Sequence, residues 1–119
     1  MENVTFNQSK HIDWEACLKI TNNNQENALK LVSMFIKDLP VSRGHINQAF
    51  TQRDAQALKT ATHKLLGASC YCGAKTIQQV LEDIGKDIPS NNWDRIAASI
   101  TQLNTTISQL MDYYRETVL

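Results

Sequence analysis

At 119 residues with 42% apolar content, the chain fits one globular domain with a continuous core and leaves little for a second. Twelve basic and twelve acidic residues cancel, so bulk charge recruits neither nucleic acid nor an anionic membrane surface. Apolar runs are short, the start MENVTFNQSK lacks a secretory pattern, and three cysteines are too few for a disulfide scaffold, so no leader or membrane span is expected and the cytoplasm is the expected compartment.

The first ten residues are polar apart from Val4 and Phe6 and read as an irregular arm. Asp13 caps a short helix carrying Trp14, Cys17, Leu18 and Ile20, which ends in the polar cluster Thr21 to Asn24; Trp14 is placed to seal one end of a bundle. From Gln25, the residues Ala28, Val32, Phe35, Leu39, Ile46 and Phe50 keep one helical phase across Pro40 and Gly44. An interior proline removes a hydrogen bond and normally breaks or kinks a helix. Two unrelated helices have no reason to share a stripe, however, and the phase predicts one long, bent helix over 25–52. Asp54 caps the next helix, which runs through His63 to Cys70 or Tyr71, with Gly73 supplying the left-handed turn that ends it. Ile77, Val80, Leu81, Ile84 and Ile88 mark a third long helix that stops at Pro89, with Ser90 or Asn91 opening the next. The last helix, from Trp93 through Ile96, Ile100, Leu103, Ile107 and Leu110 to Tyr114, alternates steps of three and four. Short connections make sequential helices antiparallel, and no run alternates like a strand. The expected fold is all-α, an antiparallel four-helix bundle with a short additional N-terminal helix, in a single domain over residues 1–119.

The informative stretch is LKTATHKLLGASCYCG, from Leu58 to Gly73. On a wheel of about 100° per residue, Leu58, Ala61, Leu65, Ala68 and Cys72 share a face and His63 falls roughly 160° from its centre, pointing at water. Gly67, one turn on, has no side chain to fence off whatever approaches the imidazole, and a glycine inside a helix gives up about 0.5–1 kcal/mol relative to alanine. Close approach of something to the helix is the natural reason for it. The chain has no phosphate loop, nucleophile elbow, HExxH or paired CxxC, so a self-sufficient enzyme is not expected. Cys70 and Cys72 lie about 200° apart on the helix, and a His63–Cys70 pair supplies too few ligands for a zinc site. A metal- or redox-responsive bundle using these thiols is therefore a weak alternative. His11 and His45 read as surface histidines. A solvent-facing imidazole can attack phosphorus without a separate base, because an imidazole is largely neutral at cytoplasmic pH. Lys59 and Lys64 are near enough to His63 to support the charge of a phosphoryl group on the ring. From Arg53 to Lys75 the only acid is Asp54, a basic bias suited to an acidic partner.

The run His63, Lys64, Leu65, Gly67, Ala68, Ser69, Tyr71, Cys72, Gly73, Ala74 resembles the histidine-phosphotransfer (HPt) motif, in which a histidine is followed by glycines four and ten places later. HKLxGAxxYCGA is most similar to the C-terminal HPt domains of bacterial hybrid sensor kinases of the BarA and GacS kind. The Asp-Trp near residue 13 and the segment FIKDLP extend the resemblance over most of the chain. It implies a phosphorelay intermediate in which His63 accepts a phosphoryl group from an aspartate of one receiver domain and passes it to an aspartate of another. It also implies a docking face for receivers, which we expect to draw on Thr60, Leu66, Gly67, Cys70, Tyr71 and Glu82. By the same resemblance this chain binds no cofactor, and magnesium belongs to the partner receiver. The domain is expected to act as a monomer without nucleic acid or direct membrane contact, either free or as the cytoplasmic C-terminal part of a membrane-anchored kinase. Two positions depart from the pattern. Leu66 stands where many members have a cation three places after the histidine, and Gly85 stands where many have Glu or Gln twenty-two places after it. Those departures support the alternative, an adaptor that binds a receiver or kinase without transferring phosphate.

Overall fold

Four of the apolar stripes become helix faces turned to a common core in the structure, a computed structural model that describes residues 11–117; the expected arm over 1–10 lies outside the described residues. The helices are α1 (Trp14–Ile20), α2 (Gln25–Thr51), α3 (Ala55–Tyr71), α4 (Lys75–Asp87) and α5 (Trp93–Thr117), with no strand among the described residues. α2 packs on α3, α3 on α4, α4 on α5 and α5 back on α2, which closes a four-helix bundle, and α1 packs on α2 and α3. The α2–α5 pair runs antiparallel: Asn47 meets Asn104, and Arg43, one turn earlier, reaches Ser108, one turn later. The two asparagine amides exchange both hydrogen bonds at 3.0 Å in a half-buried position, which pins the register of the two longest helices.

Side-chain caps start α1, α2 and α3, those of α1 and α3 as expected. Asp13 accepts from the Ala16 N–H at 3.1 Å, Asn24 from Asn27 at 2.9 Å and Asp54 from Ala57 at 3.0 Å, each worth about 1 kcal/mol. α5 corrects the expectation, since neither Ser90 nor Asn91 opens it. Asn91 takes a left-handed φ of 53° to turn the corner, and Asn92 accepts from the Arg95 N–H at 3.3 Å. Ser90 instead donates to the Asp87 carbonyl at 3.2 Å.

α2 continues through Pro40, which lies on its exposed side, and ends within a residue of the expected position. Ala49 rather than Phe50 completes its buried stripe. Phe50 is half-buried beside Trp93, and the Arg53 guanidinium lies 4.3 Å from the Phe50 ring centre and 5.4 Å from that of Trp93. At the other end Trp14 is fully buried, and its indole N–H donates to the Tyr113 hydroxyl at 2.7 Å, so it seals the bundle as its position implied. His11 is a second correction. Its ring lies 5.1 Å from that of Tyr113 and is half-buried, whereas His45 is exposed as expected.

The buried face of α3 is also rotated from the expected one. Leu58, Leu65 and Cys72 are buried, but Ala68 is exposed and Ala61 half-buried, and Thr62 and Ser69 take their places. Both hydroxyls go in satisfied: Thr62 donates to the Leu58 carbonyl at 2.8 Å and Ser69 to the Leu66 carbonyl at 2.7 Å. With the stripe centred there, His63 lies roughly 140° from its middle and leans toward α4.

Candidate functional site

The C-terminal end of α3 is fixed by contacts made on every side. Gly73 has φ of 63°, and a Cβ placed on it would lie 2.6 Å from the Asp13 carbonyl oxygen. The Asp13 N–H donates to the Gly73 carbonyl at 2.7 Å, and the Asp13 carboxylate pairs with Lys75 at 2.8 Å. The Cys17 thiol donates to the Cys72 carbonyl at 2.9 Å, and the Cys72 thiol reaches the Leu31 carbonyl at 3.6 Å. The Lys75 ammonium, helped by the Ala16 N–H, holds the Asp13 carboxyl below its ordinary value. Burial pushes the Cys17 thiol up to about 11 and the Cys72 thiol up to about 12, so both stay protonated and unreactive at neutral pH. This corner sets the rotation of α3 about its axis, and with it the direction of every side chain on the helix.

Two turns back, the outer face of α3 carries groups that no partner among the described residues engages. His63 is exposed, and no hydrogen bond or ion pair among the described residues engages its ring. Lys59 and Lys64 are exposed and stand outside the ion pairs formed among the described residues. A Cβ on Gly67 would meet no atom within 4 Å, so nothing inside the chain requires glycine there.

On the α4 side of His63 runs an open groove of about 1050 Å³. It brings together Lys59, Thr60, His63, Lys64 and Leu66 with Glu82 of α4, six of the residues expected to serve the site. Gly67, Cys70 and Tyr71 do not line it; they follow along the exposed side of α3, with Tyr71 61% exposed. On the α2 side lies a smaller cleft of about 180 Å³ bounded by Asp38, Val41, Ser42, His45, Ala61 and Lys64, so Lys64 borders both. On α2, two apolar residues that sequence reasoning did not single out are exposed, Met34 at 64% and Val41 at 59%, and Val41 bounds the smaller cleft. The signal was present, because these two apolar residues stand one heptad apart on the polar side of the α2 stripe. Gly85 and Lys86 of α4 also line the larger groove.

Cys70 is exposed and Cys72 buried, so the two thiols face different surroundings. Among the described residues no group of three or more His, Cys, Asp or Glu is gathered as a metal site. What the outer face offers is an unengaged imidazole among unpaired ammonium groups, open to a large partner.

Residues 30–113 match the Hpt domain family. The chain belongs to that family. Among solved structures it is similar to the HPt domain of a sensor hybrid histidine kinase from Shewanella, with 26% identity and a TM-score of 0.79 over 90% of this chain and 92% of that one. It also resembles in fold the histidine-containing phosphotransfer protein HptB of Pseudomonas aeruginosa PAO1, with 18% identity and a TM-score of 0.80 over 92% of this chain and 95% of that one. The comparison with curated proteins finds no match. The HPt domain has a phosphorelay role, histidine phosphotransfer in two-component signalling, and the partners of such domains are receiver domains. No helix among the described residues is long and apolar enough to cross a membrane.

Proposed function

We propose that His63 is the phospho-acceptor. The observation that carries this is the contrast among the three histidines: His11 packs on Tyr113, His45 lies on the α2 side of the smaller cleft, and His63 stands unengaged at the groove beside unpaired Lys59 and Lys64. A ring nitrogen of His63 attacks the phosphorus of a receiver's aspartyl phosphate. The N–P bond forms as the P–O bond breaks, and the aspartate leaves as a carboxylate with the bonding electrons. Transfer to the second receiver is the same step reversed. The transition state is loose, with charge on its equatorial oxygens, so positioning and cations supply most of the catalysis. Lys59 and Lys64 are this chain's share of the cations, and magnesium is carried by the receiver.

Docking uses the outer face of α3, with Thr60, Leu66, Gly67, Cys70, Tyr71 and Glu82 joined by Met34 and Val41 of α2. Gly67 lets receiver loops approach the helix backbone, and the exposed apolar side chains supply the area that two transient partners need. The domain works in the cytoplasm as a monomer, alternately engaging two receivers.

Incubation with a phosphorylated receiver is expected to label the chain with an acid-labile, alkali-stable phosphoryl group. His63→Gln is expected to abolish the label, and a label that persists in this variant overturns the assignment.

A further inference from the structure

Gly85 has no structural need to be glycine. It lies inside α4, where glycine weakens the helix, its φ is not left-handed, and a Cβ there would meet nothing within 4 Å. What its missing side chain does is open the groove beside His63. Leu66, Leu81 and Ile88 give that groove apolar walls, and all three belong to or pack against the core. Lys59 and Lys86 stand at the same groove, exposed and outside the ion pairs formed among the described residues, and Glu82 is the one carboxylate among the described residues that line it. An apolar trough edged by excess positive charge fits an apolar ridge flanked by a carboxylate.

We propose that this groove is a seat that determines which receivers the domain serves: it takes an apolar ridge from a surface helix of the docked receiver, with an acidic side chain beside the ridge meeting Lys86. The proposal rests on the phosphorelay reading and adds to it a second contact, on the opposite side of His63 from Met34 and Val41. A receiver held on both sides of α3 cannot swing away from the imidazole, so the groove contributes to orientation as well as affinity. A receiver with a polar or basic helix at that position loses both.

The test uses the intact chain, the phosphorylated receivers of the source organism, and two variants. Gly85→Leu fills the groove with a side chain that the helix accommodates, and its melting temperature is expected to be no lower than that of the native chain. Its affinity for the receiver the native chain prefers is expected to fall at least tenfold, and the rank order of receivers to change. Lys86→Glu is expected to lower affinity severalfold and to flatten the dependence of affinity on salt. Native affinity and rank order in Gly85→Leu overturn the proposal while leaving the phosphorelay reading intact. Self-association of the native chain that Gly85→Leu abolishes assigns the groove to a second copy and also overturns it. A native chain that takes phosphoryl from no receiver, or a His63→Gln variant that is still labelled, overturns the phosphorelay reading and the proposal together.

Discussion

Gly67 and Gly73 belong to the same stretch of chain and are used in opposite ways. Gly73 is enclosed, with a left-handed backbone and the Asp13 main chain pressed where a side chain would go. Gly67 sits in an ordinary helical turn with open space before it. The corner around Gly73 has its donors, acceptors and charges matched within the chain, whereas the face around Gly67 presents an imidazole and lysines that nothing among the described residues pairs with. One glycine serves the fold, and the other answers to no contact within the described residues.

Substitution at the two positions should therefore have opposite signs. Gly73→Ala is expected to destabilise the chain by about 2–3 kcal/mol, from left-handed strain plus displacement of Asp13. Chemical denaturation measures it, and a loss below about 0.5 kcal/mol would mean that the corner yields easily. Asp13→Ala removes the α1 cap and the partner of Lys75, and the cap alone is expected to cost about 1 kcal/mol. Gly67→Ala is expected to stabilise the helix by about 0.5–1 kcal/mol while slowing transfer from a phosphorylated receiver severalfold. A variant that is both more stable and equally fast would leave Gly67 without a reason.

The pH dependence of stability belongs to the corner as well. The Asp13 carboxyl titrates below its ordinary 3.8 when folded. Its contribution is therefore present above about pH 4 and is lost as pH falls through the lowered folded value. The buried thiols act at the other limit. Their folded values, about 11 for Cys17 and about 12 for Cys72, lie above the ordinary 9.0, so stability is intact below 9 and declines as pH rises toward 11–12. Urea melts across pH should show an acid limb that Asp13→Asn flattens and an alkaline limb that Cys17→Ser shifts.

The fold was largely legible because the hydrophobic period accumulates over many turns. The α2 stripe outvoted Pro40, and the structure keeps one helix there. The period misread α3 because a hydropathy pattern counts threonine and serine as polar, while Thr62 and Ser69 satisfy their hydroxyls on their own helix and enter the core. Ser90, Asn91 and Asn92 are all competent caps, and the left-handed turn at Asn91 decides among them. His63 was legible as a residue on the wrong side of its helix. The second constraint on Gly73 was not, since Asp13 is remote in sequence, and Gly85 became a groove only when α4 was laid beside α3.

The central claim is that one of three histidines carries the phosphoryl group. Tandem mass spectrometry of the native chain after incubation with a phosphorylated receiver, under alkaline conditions that preserve phosphohistidine, is expected to place the group on His63 and on neither His11 nor His45. A phosphoryl group found on either of those two, with His63 unmodified, would contradict the account.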